Sequence, residues 1–167
     1  STSEVYGTAK FVPMTEKHQL SAQSPYAASK IGADQLAISY YKSFNLPVSI
    51  LRPFNTYGPR QSLRAIIPTI ITQFLDHKLK RIKIGNVHVT RDFNYIDDTV
   101  NAFISAIKAK NIIGETINIG SGKETSIKDL LKIVSKITSR KKAFIREKVR
   151  IRNKNTEVDR LCASNLK

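Results

Sequence analysis

Apolar and polar positions along the chain follow two periods in turn, and the switches between them predict alternating helices and strands. From Ser24 the spacing is helical, with Pro25 in the first turn, Tyr26, Lys30, Ile31, Leu36 and Ile38 leading toward Tyr41, and Asn45 as the stop. Val48-Ser49-Ile50-Leu51 predicts a short buried strand. Residues 64 to 77 predict a second helix with Pro68 in its first turn or at a kink; Ile66, Ile67, Ile70, Ile71 and Phe74, at helical spacing, are expected to be core and not site. Strands are expected near 81–84 and 93–96, a helix over about 97–108, a strand at 116–119 and a helix over about 126–138. Ser126, with Asp129 three residues on, forms a weak capping box, and Asp97-Asp98 is expected to cap the helix it opens. Ser1 to Gly7 reads as the end of a strand entering a glycine turn. The alternation predicts an α/β fold without internal repeats.

Composition narrows the class. A chain of 167 residues fits one domain, 41% hydrophobic content supports a core, and no apolar run approaches the ~20 residues of a membrane span. A single cysteine, Cys162, excludes an internal disulfide framework and reads as a structural thiol, for which the cytoplasm is the natural compartment. The net charge of +15 raises a basic nucleic-acid-binding module as the non-enzyme alternative. Its distribution argues against that reading. Lys78, Lys80, Arg81 and Lys83, and the run from Arg140 through Lys141, Lys142, Arg146, Lys148 and Arg150 to Arg152, lack aromatics interleaved as base-stacking platforms and read as solvated surface. His18, His77 and His88 are scattered without metal-ligand spacing.

The candidate chemistry starts at Tyr26 and Lys30, one helical turn apart in Ser24-Pro25-Tyr26-Ala27-Ala28-Ser29-Lys30. A cation at i+4 favours the ionised form of a phenol that otherwise titrates near ~10, which makes such a tyrosine a candidate general base for redox chemistry on a hydroxyl. About twenty residues earlier, Thr2, Ser3 and Glu4 supply two hydroxyls and a carboxylate.

Taken together, Ser-Thr-Ser-Glu-Val-Tyr-Gly at 1–7, Tyr-Ala-Ala-Ser-Lys at 26–30, Arg52-Pro53-Phe54-Asn55-Thr56-Tyr57-Gly58-Pro59-Arg60, and Arg91-Asp92-Phe93-Asn94-Tyr95-Ile96-Asp97-Asp98 resemble the extended short-chain dehydrogenase/reductase family, specifically its nucleotide-sugar epimerases, dehydratases and decarboxylases. The resemblance covers essentially the whole chain but only the second half of such an enzyme. It implies the C-terminal part of a Rossmann-like doubly wound parallel sheet with an interleaved small substrate-binding lobe, in a single incomplete domain over 1–167. Family members bind NAD through a glycine-rich loop after their first strand; here the nearest sequence is Gly120-Ser121-Gly122, so the chain reads as a fragment, inactive alone, with further helix expected beyond residues 158–161.

The resemblance also assigns roles. Tyr26 is the base that takes the proton of the sugar 4-hydroxyl, Lys30 favours the phenolate and binds the nicotinamide ribose, Thr2 hydrogen-bonds the same sugar oxygen, and Pro53 lies against the cofactor. Glu4 stands where the dehydratases keep the base that removes the C5 proton, whereas simple 4-epimerases generally keep no carboxylate there. Ser3 departs from the glucose 4,6-dehydratases, which have an aspartic acid at that place to protonate the leaving hydroxyl. Asn55 and Arg91 match residues that contact the diphosphate and the nucleotide, and Arg64 and Arg152 join them as substrate-binding candidates. The segment Arg60-Gln61-Ser62-Leu63-Arg64-Ala65-Ile66-Ile67-Pro68 is similar to N-acetylglucosamine 4,6-dehydratases of legionaminic-acid-type sugar pathways. The implied activity is NAD-dependent 4,6-dehydration of a nucleoside-diphosphate N-acetylglucosamine by a homodimer formed through the Tyr26 helix. UDP-glucuronate decarboxylase and nucleotide-sugar 4-epimerase are the alternatives within the family.

Overall fold

A computed structural model describes all residues except 152, 154, 155 and 167. Among the described residues four α-helices and seven short strands follow one another: α1 (Pro25–Phe44), β1 (Ile50–Pro53), β2 (Asn55–Tyr57), α2 (Ile66–Leu75), β3 (Arg81–Ile84), β4 (Thr90–Tyr95), α3 (Ile96–Lys108), β5 (Thr116–Ile119), β6 (Glu124–Ser126), α4 (Ile127–Ile137) and β7 (Ala143–Arg146). β1 pairs with β5, β2 with β4 and β3 with β7, all in parallel, while β6 joins β4 antiparallel to complete a β2–β4–β6 sheet. The α/β reading with parallel strands holds.

The helix ends follow local chemistry. Ser24 accepts a hydrogen bond from the Ala27 N–H at 3.1 Å, Pro25 occupies the first turn, and Asn45 ends α1 in the left-handed region at φ 52°. Ser126 accepts from the Asp129 N–H at 3.0 Å and so starts α4 as expected. The expected cap of α3 is not formed. Tyr95 is the N-cap and makes no side-chain bond, so Asp97 and Asp98 are first-turn acids that act on the helix dipole alone. Residues 3–6 are a 3₁₀ turn and not a strand end; the Thr2 hydroxyl accepts from the Glu4 N–H at 3.3 Å, and Gly7 closes the turn at φ 65°. Near the end of the chain Arg160 bridges to Thr90 and Ala163 to Met14, both in parallel.

Two cores result. The first gathers Ile70 and Phe74 of α2, Ile82 and Ile84 of β3, Val87, Val89, and Ile127, Leu130, Leu131 and Val134 of α4. The second gathers Val5, Tyr6, Met14, Phe54, Val158, Leu161 and Ala163. The first is built within residues 70–134 and the second from chain on both sides of it, so the lobe is interleaved with the layer that carries it.

The expectation that all five α2 apolar residues are core holds for Ile70 and Phe74. Ile71 is exposed, and Ile66 and Ile67 also face a cavity, because a helix lying over a sheet buries one stripe only. Nor is the basic run wholly solvated. Arg140 donates to the carbonyls of Phe74 (3.1 Å) and Leu75 (2.7 Å), and Lys142 to those of Gln73 (2.7 Å) and Asp76 (2.5 Å), which satisfies the C-terminal end of α2. No helix of the described residues is long and apolar enough to cross a membrane.

Candidate active site

β2 and β4 run side by side with Asn55 opposite Phe93 and Tyr57 opposite Tyr95, and the chain leaves each strand toward α2 or α3. Between β2, the start of α2, and the β3–β4 segment lies a cavity of about 420 Å³. Its wall includes Glu4, Asn55, Arg64 and Arg91, four of the residues expected at the site and separated by up to 87 positions in sequence. Lys83, Gln61 and Glu157 also line it and were not expected. Gln61 directly follows the Asn55–Arg60 motif, which is the one signal that could have drawn it in; Lys83 had been counted with the surface lysines.

The cavity is suited to an anion. Arg91 is nearly buried, with one guanidinium nitrogen donating to the Thr90 carbonyl at 2.7 Å. Ala65, Ile66 and Ile67 bring the first turn of α2 to the wall, and α2 has no side-chain cap, so its N-terminal dipole end faces the same space as Arg64 and Arg91. Glu4 supplies a carboxylate on the opposite chemistry, as a proton acceptor.

The remaining expected residues lie elsewhere. Tyr26 and Lys30 sit on the first turns of α1, with Tyr26 53% exposed and the Lys30 ammonium 5.7 Å from the centre of its ring. Thr2 caps the 3₁₀ turn that carries Glu4. Ser3 is buried in the 3₁₀ turn and, like Thr2, Tyr26 and Lys30, is not among the residues that line the cavity. Pro53 ends β1 opposite Ile119. Arg152 lies outside the described residues.

Beneath the site are buried polar groups that sequence reading missed. Arg52 of β1 donates to Asp34 of α1 (Nε 3.0 Å, Nη2 2.9 Å) and to the Tyr6 hydroxyl (2.9 Å), which in turn donates to Asn118 at 2.7 Å. This network joins the 3₁₀ turn bearing Glu4 to the helix bearing Tyr26. Burial pushes the Tyr6 phenol above its usual range and outweighs the opposing hydrogen bond from Arg52. Asp92 accepts from the Ser121 N–H (2.9 Å), the Ser121 hydroxyl (2.5 Å), the Gly122 N–H (3.0 Å) and the Ala163 N–H (3.0 Å).

These features place the chain in the α/β class with a Rossmann-like arrangement of parallel strands. It belongs to the family described as GDP-mannose 4,6 dehydratase, whose model matches residues 1–167. A dTDP-D-glucose 4,6-dehydratase from Dictyostelium discoideum is 42% identical over 149 residues, covering 83% of this chain and 34% of that protein. A UDP-glucuronic acid 4-epimerase from Bacillus cereus, solved with UDP-glucuronic acid and NAD, superposes with a TM-score of 0.87 at 34% identity over 98% of this chain and 51% of its own. The NAD-dependent NDP-hexosamine 5,6-dehydratase TunA of tunicamycin biosynthesis superposes with a TM-score of 0.85 at 30% identity, covering 98% and 52%. The chain thus spans about half the length of such solved relatives and less of the curated one.

The family's cofactor is NAD, and the residues present fit one end of it. Tyr26 presents an exposed phenol and Lys30 a half-buried ammonium beside it, groups that would suit a nicotinamide ribose. Gly120-Ser121-Gly122 does not fit the pyrophosphate, because the Ser121 and Gly122 amides are already committed to the Asp92 carboxylate.

Proposed function

We propose that this chain is the catalytic and sugar-nucleotide-binding half of an NAD-dependent nucleotide-sugar 4,6-dehydratase acting on a nucleoside-diphosphate N-acetylglucosamine. The observation that carries the reading is the presence of Glu4 in the same cavity as Asn55, Arg64 and Arg91, which puts a proton-accepting carboxylate within reach of a ligand whose diphosphate the cations and the α2 N-terminus would hold. The likeness to an NDP-hexosamine dehydratase supports an amino sugar.

NAD, when bound, supplies the hydride acceptor for C4 and the hydride donor for C6. Tyr26 accepts the proton of the 4-hydroxyl, with Lys30 favouring its charged form and Thr2 holding the same oxygen. Once C4 is a ketone the C5 proton is acidic; Glu4 removes it and hands it to the departing 6-hydroxyl, which leaves as water, and after hydride has returned to C6 a solvent proton delivered through Glu4 restores C5–H. Arg64, Arg91 and Lys83 act on binding and orientation, through charges fixed before the reaction begins. The exposed Leu36, Tyr40 and Phe44 of α1 support pairing of that helix with a second copy.

The test joins the chain to an upstream glycine-loop half, incubates the product with UDP- and GDP-N-acetylglucosamine, and follows mass. A product lighter by one water, abolished by Tyr26→Phe and by Glu4→Gln, is the expected result, with the chain alone inactive. Unchanged mass with altered configuration would mean a 4-epimerase, and carbon dioxide released from a UDP-uronic acid would mean a decarboxylase; either overturns the dehydratase reading.

A further inference from the structure

We infer that Arg52 and Asp34 are positioning residues: their buried ion pair fixes the turn that carries Glu4 against the helix that carries Tyr26, and so governs the elimination that follows oxidation at C4. This role rests on the dehydratase reading above and deepens it, since that reading asks two groups on separate segments to act on adjacent carbons of one sugar. A displacement of about 1 Å at either group costs on the order of 100-fold in rate.

The way α1 docks points to the pair. Of its 20 residues, Ala27 and Asp34 are the buried ones, two turns apart and therefore on one face. A carboxylate thus occupies a contact that an aliphatic side chain would fill without desolvating a charge. Its partner is equally dry, Arg52 of β1 being 3% exposed. Replacing such a pair by apolar groups is often neutral for stability, so what the pair adds is direction. A planar fork of N–H donors meets its acceptors in one arrangement, whereas apolar surfaces can repack.

The fork reaches both segments. Arg52 Nε (3.0 Å) and Nη2 (2.9 Å) donate to Oδ2 of Asp34, and Nη1 donates to the Tyr6 hydroxyl at 2.9 Å. Tyr6 ends the 3₁₀ turn two residues after Glu4, is fully buried, and donates in turn to Asn118 of β5 at 2.7 Å. The same Asp34 oxygen accepts from the Ser1 hydroxyl at 2.9 Å. Thr2 and Glu4 therefore lie on a stretch pinned at both ends, at Ser1 by Asp34 and at Tyr6 by Arg52 and Asn118. Asp34 follows Tyr26 on the same helix by about 12 Å along the axis, so the carboxylate and the phenol move as one body. Arg52, Asp34 and Tyr6 do not line the cavity, and their effect on the chemistry passes through the groups they hold.

The experiment uses the protein joined to its glycine-loop half and loaded with NAD, with UDP- and GDP-N-acetylglucosamine as substrates. Tyr6→Phe keeps the buried ring and cuts the hydroxyl link to the Glu4 turn while leaving Arg52 on Asp34. Arg52→Met combined with Asp34→Leu removes the whole pair without stranding a charge, so the test stands if either variant folds. Melting temperatures without ligand report folding, and calorimetric dissociation constants for the sugar-free nucleoside diphosphate report the binding cavity. In Tyr6→Phe the loss of water per folded molecule is expected to slow about 10- to 100-fold at unchanged nucleotide affinity. The absorbance of reduced nicotinamide is expected to build up in a single turnover, because the Tyr26 step then outruns the Glu4 step. The double variant, which frees both segments, is expected to slow at least as much. A merely structural network would lower the melting temperature and leave the rate per folded molecule at its wild-type value. That result, or a slowing matched by equal weakening of nucleotide binding, overturns the positioning role and leaves the dehydratase reading intact. A folded wild-type protein that removes no water from either sugar overturns both.

Discussion

The two buried regions of this chain are held by different physics. The lobe core, from Ile70 and Phe74 through Ile82 and Ile84 to Leu131 and Val134, is apolar throughout. The layer beneath the site instead buries Arg52, Asp34, Asp92 and Asn118, at 0 to 6% exposure, beside its apolar residues. The apolar core distributes its stabilisation over many weak contacts and tolerates exchange at near-constant volume. The polar layer concentrates it in a few groups, each with a definite partner, so that loss of one strands several others. The segments carrying Glu4 and Tyr26 are tied to the second kind. Position at the site therefore depends on hydrogen bonds, and the bulk of the lobe depends on area.

The sharpest break of this contrast is at Asp92. Asp92→Ala removes the acceptor for three backbone N–H groups and one hydroxyl at once, around a carboxyl group that is itself fully buried. At about 1–3 kcal/mol for each stranded donor, the loss is on the order of 5 kcal/mol, enough to unfold an ordinary domain. Phe74→Leu, in the apolar core and just as buried, is expected to cost only about 1–2 kcal/mol, since the neighbouring side chains partly fill the space. Denaturant titrations of the two variants check this, and equal midpoints would show that the two regions are not different in kind.

Arg52 sharpens the comparison. Arg52→Met leaves the Asp34 carboxylate buried with only the Ser1 hydroxyl at 2.9 Å beside it, and the expected loss is about 3–5 kcal/mol. Adding Asp34→Leu removes the stranded charge and should return most of that loss, because a buried pair replaced whole by apolar groups is often neutral. Recovery in the double variant, read as a positive coupling energy in a mutant cycle, is the expected outcome. Additive losses would mean that the two residues act independently and that neither is stranded by loss of the other.

The same division explains what could be read from sequence. Helix ends set by one residue, such as Ser24, Asn45 and Ser126, were legible because the capping side chain acts on its own neighbours. Asn55–Tyr57, Glu124–Ser126 and Ala143–Arg146 are strands only because β4 or β3 lies beside them; at three or four residues they carry no period of their own. The 48–51 strand falls instead at Ile50–Pro53 and the 93–96 strand at Thr90–Tyr95, since register with β5 and β2 decides their ends. Of the expected site residues, Glu4, Asn55, Arg64 and Arg91 share one cavity. Asp92 was missed as a structural centre because its importance comes from burial and from partners as far as 71 positions away.

The smallest effect tests the edge of the polar layer, where it meets solvent. Glu124 of β6 receives two hydrogen bonds from Arg160, Nε at 2.6 Å and Nη2 at 2.8 Å, and one from the Thr90 hydroxyl. The Arg160 bonds are the main cause that holds its carboxyl below the usual carboxylate range, partial burial opposing them. A carboxyl depressed in the folded state binds fewer protons there than in the unfolded chain, so its contribution is complete above the ordinary value of about 4.3 and is lost as pH falls through the folded value. Glu124→Gln should accordingly lower Tm at pH 7 by only about 1–2 °C, since the partner is half-exposed and screened, and should leave Tm unchanged at pH 2. Melting curves across that range decide the matter: a deficit that persists at pH 2 would show that Glu124 acts through packing, and that the polar layer extends no further than Asp92.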